Sequence, residues 1–96
     1  MAALRSMKVV YTPRAFKDLE DIRAYIAKDN PKAAWVVASF IRRSIRNLEI
    51  LPHQGRMTDT PSVRRIVVMN YPYVVYYIVH NKRVAILHAR HSAREQ

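Results

Sequence analysis

The sequence contains no cysteine. Disulfides and thiolate metal sites are therefore excluded, and any core must hold without covalent staples. There is a single glycine, Gly55, which excludes a glycine-rich phosphate loop. Carboxylates are scarce, with 7 Asp and Glu among 96 residues, and the only one after Asp59 is Glu95. The histidines, His53, His80, His88 and His91, have no clustered acidic neighbours. No metal site and no cofactor are expected. No Ser-His-Asp or Cys-His arrangement is supported. No apolar run approaches about 18 residues, so no membrane span is expected. The first residues also lack the apolar centre of a signal peptide, which together with the absence of cysteine agrees with a cytoplasmic location.

Positive charge is what the chain has in excess. Lys and Arg number 17, and the net charge is +10. Such an excess predicts an anionic partner: nucleic acid, ribosome or an acidic protein segment. Charge alone does not choose among them, and a merely solubilising surface is the plain alternative. Half of the residues, 50%, are apolar, enough for one core in one domain spanning residues 1–96. Met7 directly precedes the first strand-like run, so residues 1–6 read as a disordered or non-native leader, or as the stretch before an alternative start.

Lys8 to Tyr11 is a short strand candidate. Thr12-Pro13 then reads as a helix start, a good N-cap followed by proline at the first helical position. Ala15, Phe16, Leu19, Ile22, Tyr25 and Ile26 follow at helical spacing, giving an amphipathic helix of about four turns. Asn30-Pro31 ends it and opens a second helix, expected to reach about Leu51. Val37, Ile41, Ile45 and Leu48 form its stripe, flanked by Ala34, Phe40 and Leu51. The short break predicts an antiparallel helical hairpin.

After a loop running from Pro52 through Pro61, the period changes to 2. Arg64 to Met69, Tyr73 to Val79 and Arg83 to Arg90 are strand candidates, with His80-Asn81-Lys82 as a hairpin turn. The expected fold is α+β, in the order β-α-α-β-β-β. The N-terminal helical hairpin packs on one face of a mainly antiparallel sheet. Tyr73 to Val79 is apolar on both alternations and should be the central strand.

Cleavage of RNA without a metal needs a group to activate the 2′-hydroxyl, cations to hold the charged phosphorane, and an acid for the leaving oxygen. The candidates are His53, Arg56, Arg64, Arg65, His88, Arg90, His91 and Arg94, because histidine titrates near neutrality and arginine grips phosphate bidentately. His91 with Arg64 and Arg94, supported by Arg90 and Arg56, is the favoured set. The plainer readings are that His91 caps backbone at a strand end or packs against Tyr71, that His53 is solvated, and that His88 and Arg90 face water as edge protection. The shortage of late carboxylates weighs against a His–carboxylate pair. Arg42, Arg43 and Arg46 form either a solvated face or an anionic docking surface. Tyr71, Tyr73, Tyr76 and Tyr77 are core, or in one or two cases base-stacking or partner-anchoring rings. Trp35 lies off the stripe and is a candidate partner anchor.

Local signatures in fixed order resemble the ParE branch of the ParE/RelE toxins. They are Tyr11-Thr12-Pro13-Arg14-Ala15, Asp18-Leu19, Ile22, Tyr25-Ile26 and Asn30-Pro31, then Pro52 with Gly55-Arg56. Arg64 with the run to Val68, Tyr71-Pro72-Tyr73 with Tyr77, and Ile86-Leu87 before His91 and Arg94 complete the series. The resemblance implies a toxin neutralised by an acidic ParD- or RelB-like antitoxin in a hetero-oligomer. Trp35, Arg42, Arg43, Arg46 and Tyr73 are the expected antitoxin contacts. It further implies poisoning of DNA gyrase with growth arrest and plasmid stabilisation; ribosome-dependent mRNA cleavage is the alternative. A non-toxic basic nucleic-acid-binding module is the third possibility.

Overall fold

Thr12 and Asn30 start the two helices by the same device. The Thr12 hydroxyl accepts from the Ala15 amide at 3.1 Å, and the Asn30 side chain accepts from the Ala33 amide at 3.0 Å. A proline follows each, where a helix has no use for an N–H. The computed structural model describes residues 7–94; the expected leader 1–6 lies outside the described residues, as does Glu95. Helix α1 is Pro13–Ala27 and α2 is Pro31–Arg46. Lys17 and Asp21 pair along α1 at 2.9 Å, and Arg23 pairs with Glu20. Such exposed pairs are screened by solvent and add little.

The strands are β1 (Lys8–Tyr11), β2 (Arg56–Met57), β3 (Arg64–Val67), β4 (Tyr73–His80) and β5 (Arg83–His91). They form one mixed sheet in the order β1-β5-β4-β3-β2. β1 runs parallel to β5, and the other pairings are antiparallel. β4 is central, as its two apolar faces require. The two helices cover one face. Ala15, Val37, Ile41, Ile45 and Leu48 meet Val75, Tyr77, Val84 and Ile86 there.

Four details depart from the sequence expectation. α2 stops at Arg46 and continues as a 3₁₀ turn, Asn47–Glu49. That turn seats Leu48 at 0% exposure but leaves Leu51 at 59%. A 3₁₀ turn advances about 120° per residue, so the stripe swings out of the core after Leu48. β2 falls inside the expected loop, because two residues carry no alternation and form a strand only by pairing with β3. β3 is shorter than expected, and the strand candidate's last buried residue, Val68, bonds to Tyr73 from outside it.

The fourth departure is that β5 is not an edge. β1 covers it as far as Ile86. Beyond that point α1 takes over. The Thr12 hydroxyl reaches the carbonyls of Ile86 and Leu87 at 2.7 and 3.1 Å, and Asp18 Oδ2 accepts from the Ala89 amide at 3.1 Å. The helix that follows β1 thus closes the edge that His88 and Arg90 were expected to protect.

Candidate functional site

A bulge in β5 sets the chemistry of the exposed sheet face. Tyr76 pairs with His88 whereas Tyr77 pairs with Ile86, so Leu87 is an extra residue on β5. Strict alternation would put Ile86, His88 and Arg90 on the same side. The bulge reverses the parity. Ile86 faces the helices, while His88 and Arg90 face away from them.

The register then builds a row across four strands on the face without helices. Arg56 is opposite Arg65, Arg65 opposite Tyr76, and Tyr76 opposite His88. Arg90 stands in the next row, opposite Val74. These side chains line a cleft of about 880 Å³ together with Thr58, Thr60 and Asp59. The imidazole of His88 stacks on the Tyr76 ring, with centroids 4.4 Å apart and planes 22° from parallel. Its Nδ1 is buried and has no hydrogen-bond partner among the described residues. Burial first, then the nearby charges of Arg14 and Arg90, hold the His88 pKa below its ordinary value. Arg56 and Arg90 have no ion pair among the described residues.

Two members of the favoured cleavage set lie on the opposite face. Arg64 is opposite Tyr77 on the helix side. Its Nη1 donates to the carbonyls of Gly55 at 2.8 Å and His53 at 3.2 Å, which fastens the loop before β2. His91 is opposite Tyr73 and meets that ring edge-on at 5.2 Å. Its Nδ1 accepts from the Ala93 amide at 3.0 Å. His91 thus meets a backbone amide and the ring of Tyr73, while Tyr71 packs on Phe40. The Arg94 side chain lies outside the described residues. Of the favoured set, the cleft brings together Arg56 and Arg90. It adds Arg65, His88 and Tyr76, whose common face depends on register and bulge. Thr58 and Thr60 were not foreseen; their only signal was position beside Arg56.

A second surface lies between the helices. Phe16, Leu19 and Ile22 of α1 and Ala34, Val37, Ala38 and Ile41 of α2 line an apolar groove of about 310 Å³. Phe16 is 68% exposed there. Tyr11, Arg42 and the paired Glu20 and Arg23 form its rim. Helical periodicity places Trp35, Arg42 and Arg46 on one exposed stripe beside this rim. Trp35 is 73% exposed, and Arg42 and Arg46 have no ion pair among the described residues. Burial raises the Tyr11 pKa, and the charges of Arg42 and Arg46 oppose that shift. Arg43 is turned elsewhere, its guanidinium 5.5 Å from the centre of the Phe40 ring, which itself packs on Tyr71. Tyr73 is a core residue with little surface to offer a partner.

Comparison with known proteins agrees with this architecture. Residues 9–96 match the family described as ParE toxin of type II toxin-antitoxin system, parDE. Toxin RelE2 of Caulobacter vibrioides is 39% identical over 87 residues, covering 91% of this chain and 97% of its own. A chain of the chromosomal ParDE TA system from P. aeruginosa superposes with a TM-score of 0.80 at 24% identity, covering 91% of this chain and 97% of its own. A chain of the RelBE2 toxin-antitoxin complex from Mycobacterium tuberculosis shares the fold more loosely, at TM-score 0.59 and 18% identity, with 95% and 97% covered. A helical hairpin on a mixed five-stranded sheet is the fold this chain shares with chains of those two toxin-antitoxin systems. The chain belongs to the ParE toxin family.

Proposed function

We propose that this toxin is silenced by an acidic antitoxin segment seated in the α1–α2 groove, and that the released toxin arrests growth by poisoning DNA gyrase. The groove supports the first half. Its floor is apolar, and Arg42 and Arg46 at its border have no ion pair among the described residues. Apolar anchors supply most of the affinity of such a contact, and charge speeds its association.

For the target, the carrying observation is that the open face holds no histidine–carboxylate pair among the described residues, while His91 and Arg64 are tied up on the other face. A protein that acts by contact needs no such pair. A supercoiling assay with purified toxin, with and without antitoxin, tests this. Inhibition or a trapped cleavage complex that antitoxin relieves is the expected result; unchanged supercoiling rejects gyrase as target.

A second reading is favoured by the row Arg56–Arg65–Tyr76–His88, which offers cations and a neutral imidazole to an RNA phosphate. Primer extension on translated mRNA separates the two. Cuts lost in Arg65→Ala and His88→Ala variants support cleavage, and an intact message rejects it.

A further inference from the structure

Arg56 and Arg65 are cross-strand neighbours on one face, with Arg90 in the same cleft. Like charges directly opposite on paired strands repel and lower stability. Among the described residues the only carboxylate lining the cleft is Asp59. An anion entering the cleft offsets that repulsion, and Arg56 and Arg90, which have no ion pair among the described residues, can donate charge-assisted hydrogen bonds to it. Thr58 and Thr60 add hydroxyls at the same rim, and Tyr76 supplies an aromatic surface.

His88 adds a second element. Its Nδ1 is buried with no partner among the described residues, and its ring is fixed against Tyr76. Protonation there is opposed first by burial and then by two cations, Arg14 on α1 and Arg90 along β5. Arg65 and Arg56 stand further along the row on β3 and β2. Asp18 of α1 acts in the opposite direction, and Asp59 is the carboxylate of the cleft itself. Burial is the larger obstacle to that proton, and an anion paired with Arg90 lifts part of the charge opposition that adds to it. Proton and anion then help one another to bind, as linkage requires.

We infer that the open sheet face is a binding site for a phosphodiester backbone, and that filling it draws a proton onto His88. The inference goes beyond the choice between gyrase and ribosome, since both offer nucleic acid, but it shares with the second reading the premise that this face meets phosphate.

The test uses the full chain and two probes whose phosphodiesters do not titrate near neutrality, an eight-residue oligodeoxythymidylate and an eight-residue oligouridylate. Binding is measured from pH 5.5 to 8 at fixed salt. We expect affinity about three- to tenfold higher at the acid end, because a pKa raised by one unit on binding gives about tenfold. Tightening in either arm supports the site and shows which sugar it accepts. The His88→Asn variant should lose the added slope. The control His80→Asn, altered at the far end of β4, should keep it. NMR titration of the His88 imidazole in the unaltered protein, with and without oligonucleotide, reads the same proton directly should the variant fold poorly. No binding at any pH overturns the site together with the premise it shares with the second reading. Binding with an unmoved His88 titration overturns the proton coupling alone and leaves that premise standing.

Discussion

The hydroxyl of Tyr77 sits 2.9 Å from the amide nitrogen of Gly55 and accepts its hydrogen bond, while donating to the carbonyl of Pro52 at 2.8 Å. A Cβ at Gly55 would come within 2.5 Å of that oxygen and 2.8 Å of the Arg65 carbonyl. The only glycine is thus required by close approach. It lets the loop dock on the core so that Arg56 can pair with Arg65.

Gly55→Ala should lower stability by about 1–3 kcal/mol, the range for overpacking a tight site. Tyr77→Phe should cost about 1–3 kcal/mol by leaving the buried Gly55 N–H without a partner. The double variant should be less destabilised than the sum, because the phenylalanine has no oxygen for the new methyl to meet. Urea unfolding of all four proteins measures this, and strict additivity would show that the two residues do not share the contact.

Arg64 and Arg65 are neighbours in sequence but should behave oppositely. Arg64→Ala removes two bonds to loop carbonyls and should cost about 1–2 kcal/mol. Arg65→Ala leaves those loop bonds intact and relieves repulsion with Arg56, so it should cost less than Arg64→Ala. It should weaken oligonucleotide binding several-fold. Thermal melts beside binding titrations distinguish them.

Stability should fall on mild acidification because of His88. Its folded pKa is depressed by burial, so the unfolded chain takes up a proton first. The contribution is full above the ordinary value of about 6.5, and is lost as pH falls from there towards the lower folded value. Melting temperatures between pH 8 and 5 should show this loss, and His88→Phe, which keeps a ring against Tyr76, should flatten that part of the profile.

Phe16 is largely exposed at the groove, so Phe16→Ala should leave stability within about 0.5 kcal/mol. Antitoxin affinity should drop by about tenfold to a hundredfold, the cost of truncating an apolar anchor. Calorimetry with the antitoxin checks it; unchanged affinity would place the partner elsewhere.

The hairpin between β4 and β5 turns on Asn81 and Lys82, both left-handed at φ 48° and 63°. Two such residues make a type I′ turn, for which glycine is preferred at the second position. Lys82→Gly should therefore stabilise by about 0.5–1 kcal/mol, measured by urea unfolding.

The sequence by itself determined the helical hairpin, the central strand and the family. Thr12-Pro13, Asn30-Pro31 and the apolar spacings act through neighbouring residues, and such local signals survive without a fold. It also determined the charge excess. Only the tertiary structure decided which of those charges share a face. Arg64 and Arg65 both read as phosphate ligands until pairing with Tyr77 and Tyr76 sent them to opposite sides of the sheet. His88 and Arg90 should have followed Ile86 towards the helices, and one extra residue at Leu87 reversed them. A strand's period is 2, so a single insertion exchanges its faces, and no local pattern marks where that insertion falls.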